Sequence, residues 1–293
     1  MQLIEVLDQT WFPRSLRDAT TDTLQFILNL GNLYKPIVPR LRKAFEDAST
    51  HQVLDLCSGG GGPWTQLYRV FEEEENFPVD ISLTDKYPNL GAFEHARTAS
   101  QNKINFQTDP VDAKRIPAEL KGFRTLFTSF HHFPPREARA ILQSAVDTQQ
   151  GIGIFEAARR HPLTIFFIFL LPVVALVLVP FVRPFRWSRL IWTYLVPVVP
   201  LVLLFDGLVS CIRTYSPREL RELIGGLSAN AYKWDMGEEK GGLLPISITY
   251  LVGYPNPKWT DFFSRCAARP PFEPITCSRA SSVLRRRGWE SLP

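Results

Sequence analysis

The sequence predicts an α/β fold built on a mainly parallel sheet with helices on both faces. Short apolar runs that fit strands alternate with segments that fit helices, which is the pattern of repeated β–α units. One of these runs leads into four consecutive glycines, as the first strand of a nucleotide-binding sheet does. Two final strand-like runs are joined by a short polar connection, which predicts an antiparallel pair at the end of the sheet.

The length and charge of the chain limit its class. A chain of 293 residues can bury a sizeable core, and its net charge of +4 arises in residues 254–293. A dedicated nucleic-acid binder carries its basic residues as a face of the folded domain, so we predict no nucleic-acid partner. Four scattered cysteines, without a CxxC or a Cys/His pair at metal-ligand spacing, predict neither a metal site nor a disulfide framework.

The elements of the predicted core follow in order. Residues 1–50 place apolar residues three and four apart, which predicts an N-terminal helical cap. The core itself, over residues 51–158, contains the first strands and helices. Strands are expected at 53–56, 81–85, 125–130 and 151–157, with a further strand within 103–112, and helices over 64–75 and 135–148.

The core resumes over residues 211–254. Residues 215–227 predict a helix with Ser216 as its N-cap and Pro217 at its first position. The antiparallel strand pair is expected at 230–237 and 245–254. Residues 255–293 are rich in Pro, Ser and Arg and predict a basic flexible tail.

An apolar insertion, residues 159–210, predicts a membrane-associated helical hairpin. Residues 163–182 form a run of 20 without a charge. At 1.5 Å per residue this is about 30 Å of helix, enough to span a bilayer. Residues 190–205 form a second uncharged run, shorter and interrupted by two prolines.

Three arginines in the connection of this hairpin, Arg183, Arg186 and Arg189, leave three arrangements open. The hairpin spans the bilayer with these arginines at the far headgroups, or it lies along the interface while they snorkel, or it is a lid within a soluble oligomer. The basic residues 159–161 before it favour entry from the anionic cytoplasmic leaflet. We therefore predict a membrane-associated protein with its catalytic domain on the cytoplasmic side and membrane lipid as a partner.

An acid and alternating small residues follow the first strand, namely Asp55, Cys57, Gly59 and Gly61. This motif resembles that of the class I S-adenosylmethionine-dependent methyltransferases, in which glycine usually stands at the position of Cys57. The resemblance covers about residues 35–253 and implies a Rossmann-like fold with S-adenosylmethionine as the cofactor. A carboxylate here would repel a dinucleotide pyrophosphate, but Asp55 suits the ammonium and sulfonium of this cofactor, directly or through water.

Further site residues follow the later strands. Asp85, next to Lys86, comes 24 residues after Gly61. This is near the offset of about 20 at which an acid binds ribose hydroxyls. The resemblance implies that Asp112 and Ala113 meet the adenine and that Ser129 contacts the cofactor. His131 and His132 are the candidate catalytic residues, because a neutral imidazole is a competent general base for an acceptor.

The combined pattern predicts a methyltransferase for a lipophilic or membrane-located small-molecule acceptor. An NAD-type oxidoreductase is the first alternative, and Asp55 and the terminal strand pair argue against it. A non-catalytic membrane-attached adaptor that retains a cofactor-binding fold is the second. The acids at three strand ends, Asp55, Asp85 and Asp112, argue against the adaptor, because an abandoned cavity does not need them.

Overall fold

The computed structural model describes residues 3–228, 232–242 and 246–256, and the expected tail beyond residue 256 lies outside them. Within these residues the chain forms one seven-stranded sheet in the order β3-β2-β1-β4-β5-β7-β6. The strands are β1 Gln52–Asp55, β2 Asp80–Leu83, β3 Ile104–Phe106, β4 Phe123–Phe127, β5 Ile152–Glu156, β6 Tyr232–Lys240 and β7 Ser247–Pro255. Strands β1 to β5 are parallel, and β7 runs antiparallel to both β5 and β6. The predicted Rossmann-like sheet and its antiparallel C-terminal pair are confirmed.

The strand order fixes where a ligand can bind. The chain moves outward from β1 to β3 and then crosses back to β4 on the other side of β1. Asp55, the last residue of β1, lies between Leu83 of β2 and Thr125 of β4. Ligands of open parallel sheets bind at such a switch point, outside the carboxyl ends of the strands.

Helices cover both faces of the sheet, and an apolar core lies on each face. The helices are α1 Arg14–Leu30, α2 Val38–Asp47, α3 Trp64–Arg69, α4 Leu90–Ala99, α5 Pro135–Asp147, α6 Pro162–Leu178, α7 Trp187–Leu190, α8 Val198–Arg213 and α9 Pro217–Gly225. The predicted N-cap of α9 is confirmed, because the Ser216 hydroxyl and the Glu219 carboxylate form a capping box.

The apolar insertion comprises α6, α7 and α8. Within the described residues one helix, Pro162–Phe181, is long and apolar enough to cross a membrane, and Trp187–Leu195 and Val198–Arg213 pass the same test only as a pair bent by 78°. The break before α8 follows Pro197, which has no backbone N–H to continue a helix. Helices α6 and α8 pack on each other and on α1, where Ala19, Ala175 and Leu203 are buried together.

The connection between α6 and α8 folds back onto α1. Arg189 is buried, forms an ion pair with Asp22 of α1, and donates to the carbonyls of Val182 and Pro184, each at 3.1 Å. Arg186 lies 3.3 Å from the Asp18 carboxylate. These two arginines therefore lie against α1, and the arrangement with all three at far-side headgroups is wrong. The physical reason is that α1 offers two carboxylates one turn apart.

Candidate active site

A cavity of about 330 Å³ opens at the carboxyl ends of β1, β2 and β4. This volume lies within the range of about 300–1,000 Å³ that is common for small-molecule sites. Most of the residues expected to bind the cofactor line it, and so does one candidate catalytic residue. They are Cys57, Gly59, Asp85, Lys86, Asp112, Ala113, Ser129 and His132. Asp55, Gly61 and His131 do not line this cavity.

Asp55 is buried behind the cavity wall. Its Oδ2 accepts a hydrogen bond from the Ser58 hydroxyl at 2.6 Å, and its Oδ1 accepts from the Thr125 hydroxyl at 2.6 Å and from the Trp64 indole at 3.1 Å. Burial raises the pKa of Asp55 to about 7, against the opposing effect of these three hydrogen bonds. Asp55 therefore orders the glycine loop from behind, and of the two expected modes, direct contact with a cationic ligand or contact through water, this geometry does not show the direct one.

The glycine loop has two distinct constraints. Cys57 and Gly59 line the cavity with φ of +57° and +52°, the left-handed region that favours glycine. Cys57 thus occupies a backbone conformation for which glycine is the usual residue. A Cβ on Gly60 would lie 2.9 Å from the Thr21 carbonyl oxygen of α1. Gly60 is therefore required for the close approach of α1, in addition to any ligand.

Asp85, which follows β2, binds the same glycine loop through its carboxylate. Its carboxylate accepts hydrogen bonds from the backbone N–H groups of Gly59 and Tyr87, each at 2.8 Å. Burial raises the pKa of Asp85, while these two backbone donors oppose the shift. The Arg17 guanidinium lies 4.0 Å from the centre of the Tyr87 ring, which brings the N-terminal helix to the cavity rim.

The remaining predicted binding residues lie on the loops after β3 and β4. Asp112 accepts a hydrogen bond from the backbone N–H of Lys114 at 3.0 Å, and Ala113 lines the cavity beside it. Ser129 is only 4% exposed, and its hydroxyl finds no hydrogen-bond partner in the part of the chain that the structure describes. A buried hydroxyl at a cavity wall without a partner is a group that a polar ligand satisfies.

His131 is held by the last residue of β5. Its Nδ1 lies 2.8 Å from Glu156 Oε2, and its backbone N–H donates to Glu156 Oε1 at 3.1 Å. The ring is buried and lines a second cavity on the other side of the β4 loop. The two neighbouring histidines therefore differ in position: His131 lines only the second cavity, whereas His132 lines both.

His132 contacts two acids of the N-terminal segment. Its Nδ1 lies 2.8 Å from Asp8 Oδ1 and 3.1 Å from Glu5 Oε2. Burial lowers the pKa of His132, but the carboxylates of Glu5 and Asp8 outweigh this and raise it to about 9. The sequence predicts a neutral imidazole at this position. With a pKa of about 9, His132 instead keeps its proton at neutral pH. Glu5, Asp8 and their partner Arg213 were missed because no local pattern links residues 5–8 to residue 132.

The second cavity, of about 510 Å³, lies beneath the apolar insertion. Apolar side chains of α1, α6 and α8 form most of its wall. Its polar groups include Glu5, His131 and His132, whose ligand atoms lie within 4.8 Å of one another. The two cavities adjoin, because both are lined by Leu7, Leu24, Leu28, Thr128 and His132.

No protein-family model and no curated protein matches this sequence. Among solved structures, the chain is similar to an O-methyltransferase from neocarzinostatin biosynthesis in complex with S-adenosylmethionine and 2-hydroxy-5-methyl naphthoic acid. The identity is 15%, the TM-score 0.47, and the match covers 81% of this chain and 57% of that one. A second is human N-acetylserotonin methyltransferase with S-adenosylmethionine, at 15% identity and a TM-score of 0.42, covering 80% of this chain and 56% of that one.

A third is an S-adenosylmethionine-dependent methyltransferase from Aquifex aeolicus, at 13% identity and a TM-score of 0.44, covering 80% of this chain and 97% of that one. The chain thus spans little more than half the length of the first two structures.

The sheet itself, with five parallel strands followed by an antiparallel strand inserted between β5 and β6, is the Rossmann-like methyltransferase fold.

Proposed function

We propose that this protein is an S-adenosylmethionine-dependent methyltransferase that acts on a lipophilic acceptor at a membrane. The observation that carries the proposal is the pair of adjoining cavities. One has a wall of mixed polar and apolar groups and lies at the strand ends where a nucleoside binds, and the other is mostly apolar and lies beneath the insertion. A transferase for an apolar acceptor needs two such compartments that meet at the reacting atoms.

The residues of the first cavity fit the cofactor. The Asp85 carboxylate is oriented by two backbone donors and accepts hydrogen bonds from ribose hydroxyls. Asp112 and Ala113 hold the adenine, and the Ser129 hydroxyl gains the partner that it lacks among the described residues. Cys57, Gly59 and Lys86 line the same cavity. Asp55 and Gly61 act indirectly, by fixing the loop.

S-adenosylmethionine supplies an activated methyl group on a sulfonium. The residues of the chain hold the acceptor in position. Holding the reacting atoms in line lowers the activation free energy by several kcal/mol. Thr128 and His132 lie where the two cavities adjoin, and His131 lines the second cavity beside them, so these side chains contact the reacting group of the acceptor. The buried environment excludes water from the same point.

The outer face of the insertion supports attachment to a bilayer. A set of large apolar side chains there is more than half exposed, which is unusual for a protein surface in water. The set comprises Phe166, Phe169, Val173, Val177, Phe181, Trp187, Leu195, Leu201 and Phe205. Because Arg186 and Arg189 of the connection form ion pairs with α1, the insertion lies in the plane of the interface with this face in the lipid. The catalytic core then lies on the cytoplasmic side.

The basic residues before α6 contribute less to attachment than the sequence indicated. Arg160 lies 3.1 Å from the Glu219 carboxylate, and Arg159 pairs with Glu238. Their charges are already balanced within the protein, so burial of apolar side chains carries the attachment. Sedimentation with membranes is therefore expected to resist high salt.

Calorimetry with the purified full-length protein tests the cofactor. We expect binding of S-adenosylmethionine and no response to NAD, and the reverse result refutes the proposal. Isotope-labelled S-adenosylmethionine added with membrane lipid extract then identifies the methylated acceptor.

Two neighbouring positions of α6 provide matched variants for the acceptor cavity. Val174 lines this cavity, whereas Val173 is 60% exposed on the outer face. Val174→Trp is expected to abolish methylation while S-adenosylmethionine binding stays, and Val173→Trp is expected to leave both. Equal activity of the two variants contradicts an acceptor beneath the insertion.

A further inference from the structure

A buried cluster beside the acceptor cavity contains one nitrogen without a partner. Among the residues that the structure describes, His131 Nε2 finds no hydrogen bond, although it is fully enclosed. Its neighbours have charged contacts, since Glu5 Oε1 lies 3.3 Å from Arg213 and His132 Nδ1 lies 2.8 Å from Asp8. A buried polar atom without a partner is rare and requires an explanation such as a bound ion. Glu5, His131 and His132 form one cluster, whose ligand atoms all lie within 4.8 Å of one another.

The two ring nitrogens of His131 both lie near carboxylates. Nδ1 lies 2.8 Å from the Glu156 carboxylate, so in the neutral ring Nδ1 is the nitrogen that carries the hydrogen and Nε2 the one that presents a lone pair. That lone pair faces Glu5 Oε1, itself an acceptor, at 3.7 Å. Two acceptors that face each other in a buried site repel unless a cation lies between them.

The spacing of the atoms suits a small metal ion. Ligands about 2.0–2.1 Å from a tetrahedral zinc ion are about 3.3 Å from one another. Glu5 Oε2 lies 3.1 Å from His132 Nδ1, and Glu5 Oε1 lies 3.7 Å from His131 Nε2. All three ligand atoms lie within 4.8 Å of one another, and His132 Nδ1, which faces Asp8 at 2.8 Å, coordinates after losing its proton, as ligands generally do on metal binding.

The surrounding charges favour a cation as well. The carboxylates of Glu5, Asp8 and Glu156 lie around the two imidazoles, and Arg213 contacts Glu5 at 3.3 Å and Asp8 at 3.0 Å. A carboxylate oxygen has two lone pairs, so the contact with Arg213 leaves Glu5 able to coordinate. A divalent ion offsets the negative charge that one guanidinium leaves.

We propose that Glu5, His131 and His132 bind a divalent transition-metal ion of the zinc type at the wall of the acceptor cavity. Two imidazoles and one carboxylate are a ligand set of such ions, and three protein ligands leave a coordination position open. The Glu156 carboxylate contacts His131 Nδ1 and so orients the imidazole ring toward the ion. Resting on the proposed function, the open position takes an oxygen of the acceptor, which fixes the acceptor beside the cofactor cavity.

Metal analysis of the full-length protein in detergent tests the site. After removal of weakly bound ions we expect about one zinc ion per chain by mass spectrometry, and Co²⁺ added to chelator-treated protein is expected to show the visible bands of a tetrahedral site. His131→Ala is expected to lose the ion. Glu156→Gln is expected to weaken Zn²⁺ binding about 10–100-fold, because it removes the carboxylate that orients the metal-binding imidazole of His131. His95→Ala, at an exposed histidine of α4, is the control and retains the ion.

The outcomes separate the metal site from the proposed function. Protein that binds S-adenosylmethionine but takes up neither zinc nor cobalt overturns the metal site and leaves the methyltransferase proposal intact. Equal metal content in His131→Ala and His95→Ala also overturns it. Thermal unfolding and S-adenosylmethionine binding are measured on each variant, and Glu5→Gln, a conservative change, provides a second loss-of-ligand variant if His131→Ala does not fold.

Discussion

The ion pair between Arg189 and Asp22 decides how the apolar insertion is held, and it can be broken by a single isosteric change. Both side chains are 2% exposed or less. Asp22→Asn leaves the Arg189 guanidinium buried with its bonds to the Val182 and Pro184 carbonyls but without a counter-charge. Removal of one partner of a buried ion pair costs roughly 3–5 kcal/mol. For a chain of this size each kcal/mol lowers Tm by about 2–4 °C, so the expected fall is roughly 6–20 °C.

The assay is thermal unfolding in detergent combined with hydrogen exchange of residues 183–196. Asp22→Asn is expected to lower Tm and to speed exchange of this segment, because the tip of the insertion detaches from α1. Arg183→Ala is the matched control, since Arg183 is exposed in the same connection, and its effect is expected to stay within about 0.5 kcal/mol. The double variant Asp22→Asn with Arg189→Met is expected to lose less stability than the two single changes together.

If all three arginines instead lay at far-side headgroups, Asp22 would be free of them. Asp22→Asn and Arg183→Ala would then have equally small effects on Tm, and exchange of residues 183–196 would not change. That result would refute the folded-back position of the insertion. It would also refute the position of α6 and α8 in the wall of the second cavity.

Three further predictions concern the cofactor loop. Cys57→Gly, at φ of +57°, is expected to keep S-adenosylmethionine binding without lowering Tm, because the left-handed conformation costs any residue with a Cβ about 1–2 kcal/mol, whereas Cys57→Val lowers Tm because its β-branched side chain adds crowding to that conformation. Asp85→Ala is expected to weaken S-adenosylmethionine binding by roughly 1.5–3 kcal/mol in calorimetry, and unchanged affinity would place the ribose acid elsewhere. The pKa of Asp55 rises from 3.8 to about 7 on folding, so the folded state binds the extra proton. Its contribution to stability is full below about pH 4 and is lost as pH rises to about 7, and Asp55→Asn removes this slope from the pH dependence of Tm.

The sheet was predictable from the sequence because its signals are local. The apolar runs of β1, β2, β4 and β5, the glycine loop and the Ser216 cap each depend on residues within a few positions of one another. The short connection before β7 also predicts antiparallel pairing without knowledge of the rest of the chain. The strand ends then place Asp85, Asp112 and Ser129 at one edge, because the carboxyl ends of parallel strands share an edge.

The direction of a side chain at that edge was not predictable. Asp55 stands at the expected position, but Ser58, Trp64 and Thr125 draw its carboxylate inward. Trp64 follows the glycines by two positions in the sequence, and Thr125 is a strand neighbour. The motif therefore identifies the loop correctly and gives no information on which of its residues a ligand touches.

The acceptor side was missed for a different reason, which is distance along the chain. Asp206 of α8 accepts hydrogen bonds from the backbone of Val6 and Leu7 at 2.8 and 3.0 Å, and so fixes the segment that carries Glu5 and Asp8 next to His132. In the sequence Asp206 ends an uncharged run of 16 residues. It therefore reads there as the border of a membrane segment. In the structure it is the group that joins the insertion to the N-terminal segment. The insertion is thus held at its tip by Arg189 and at its base by Asp206, and this double attachment makes it a wall of the second cavity, with its outer face on the side that we propose to contact lipid.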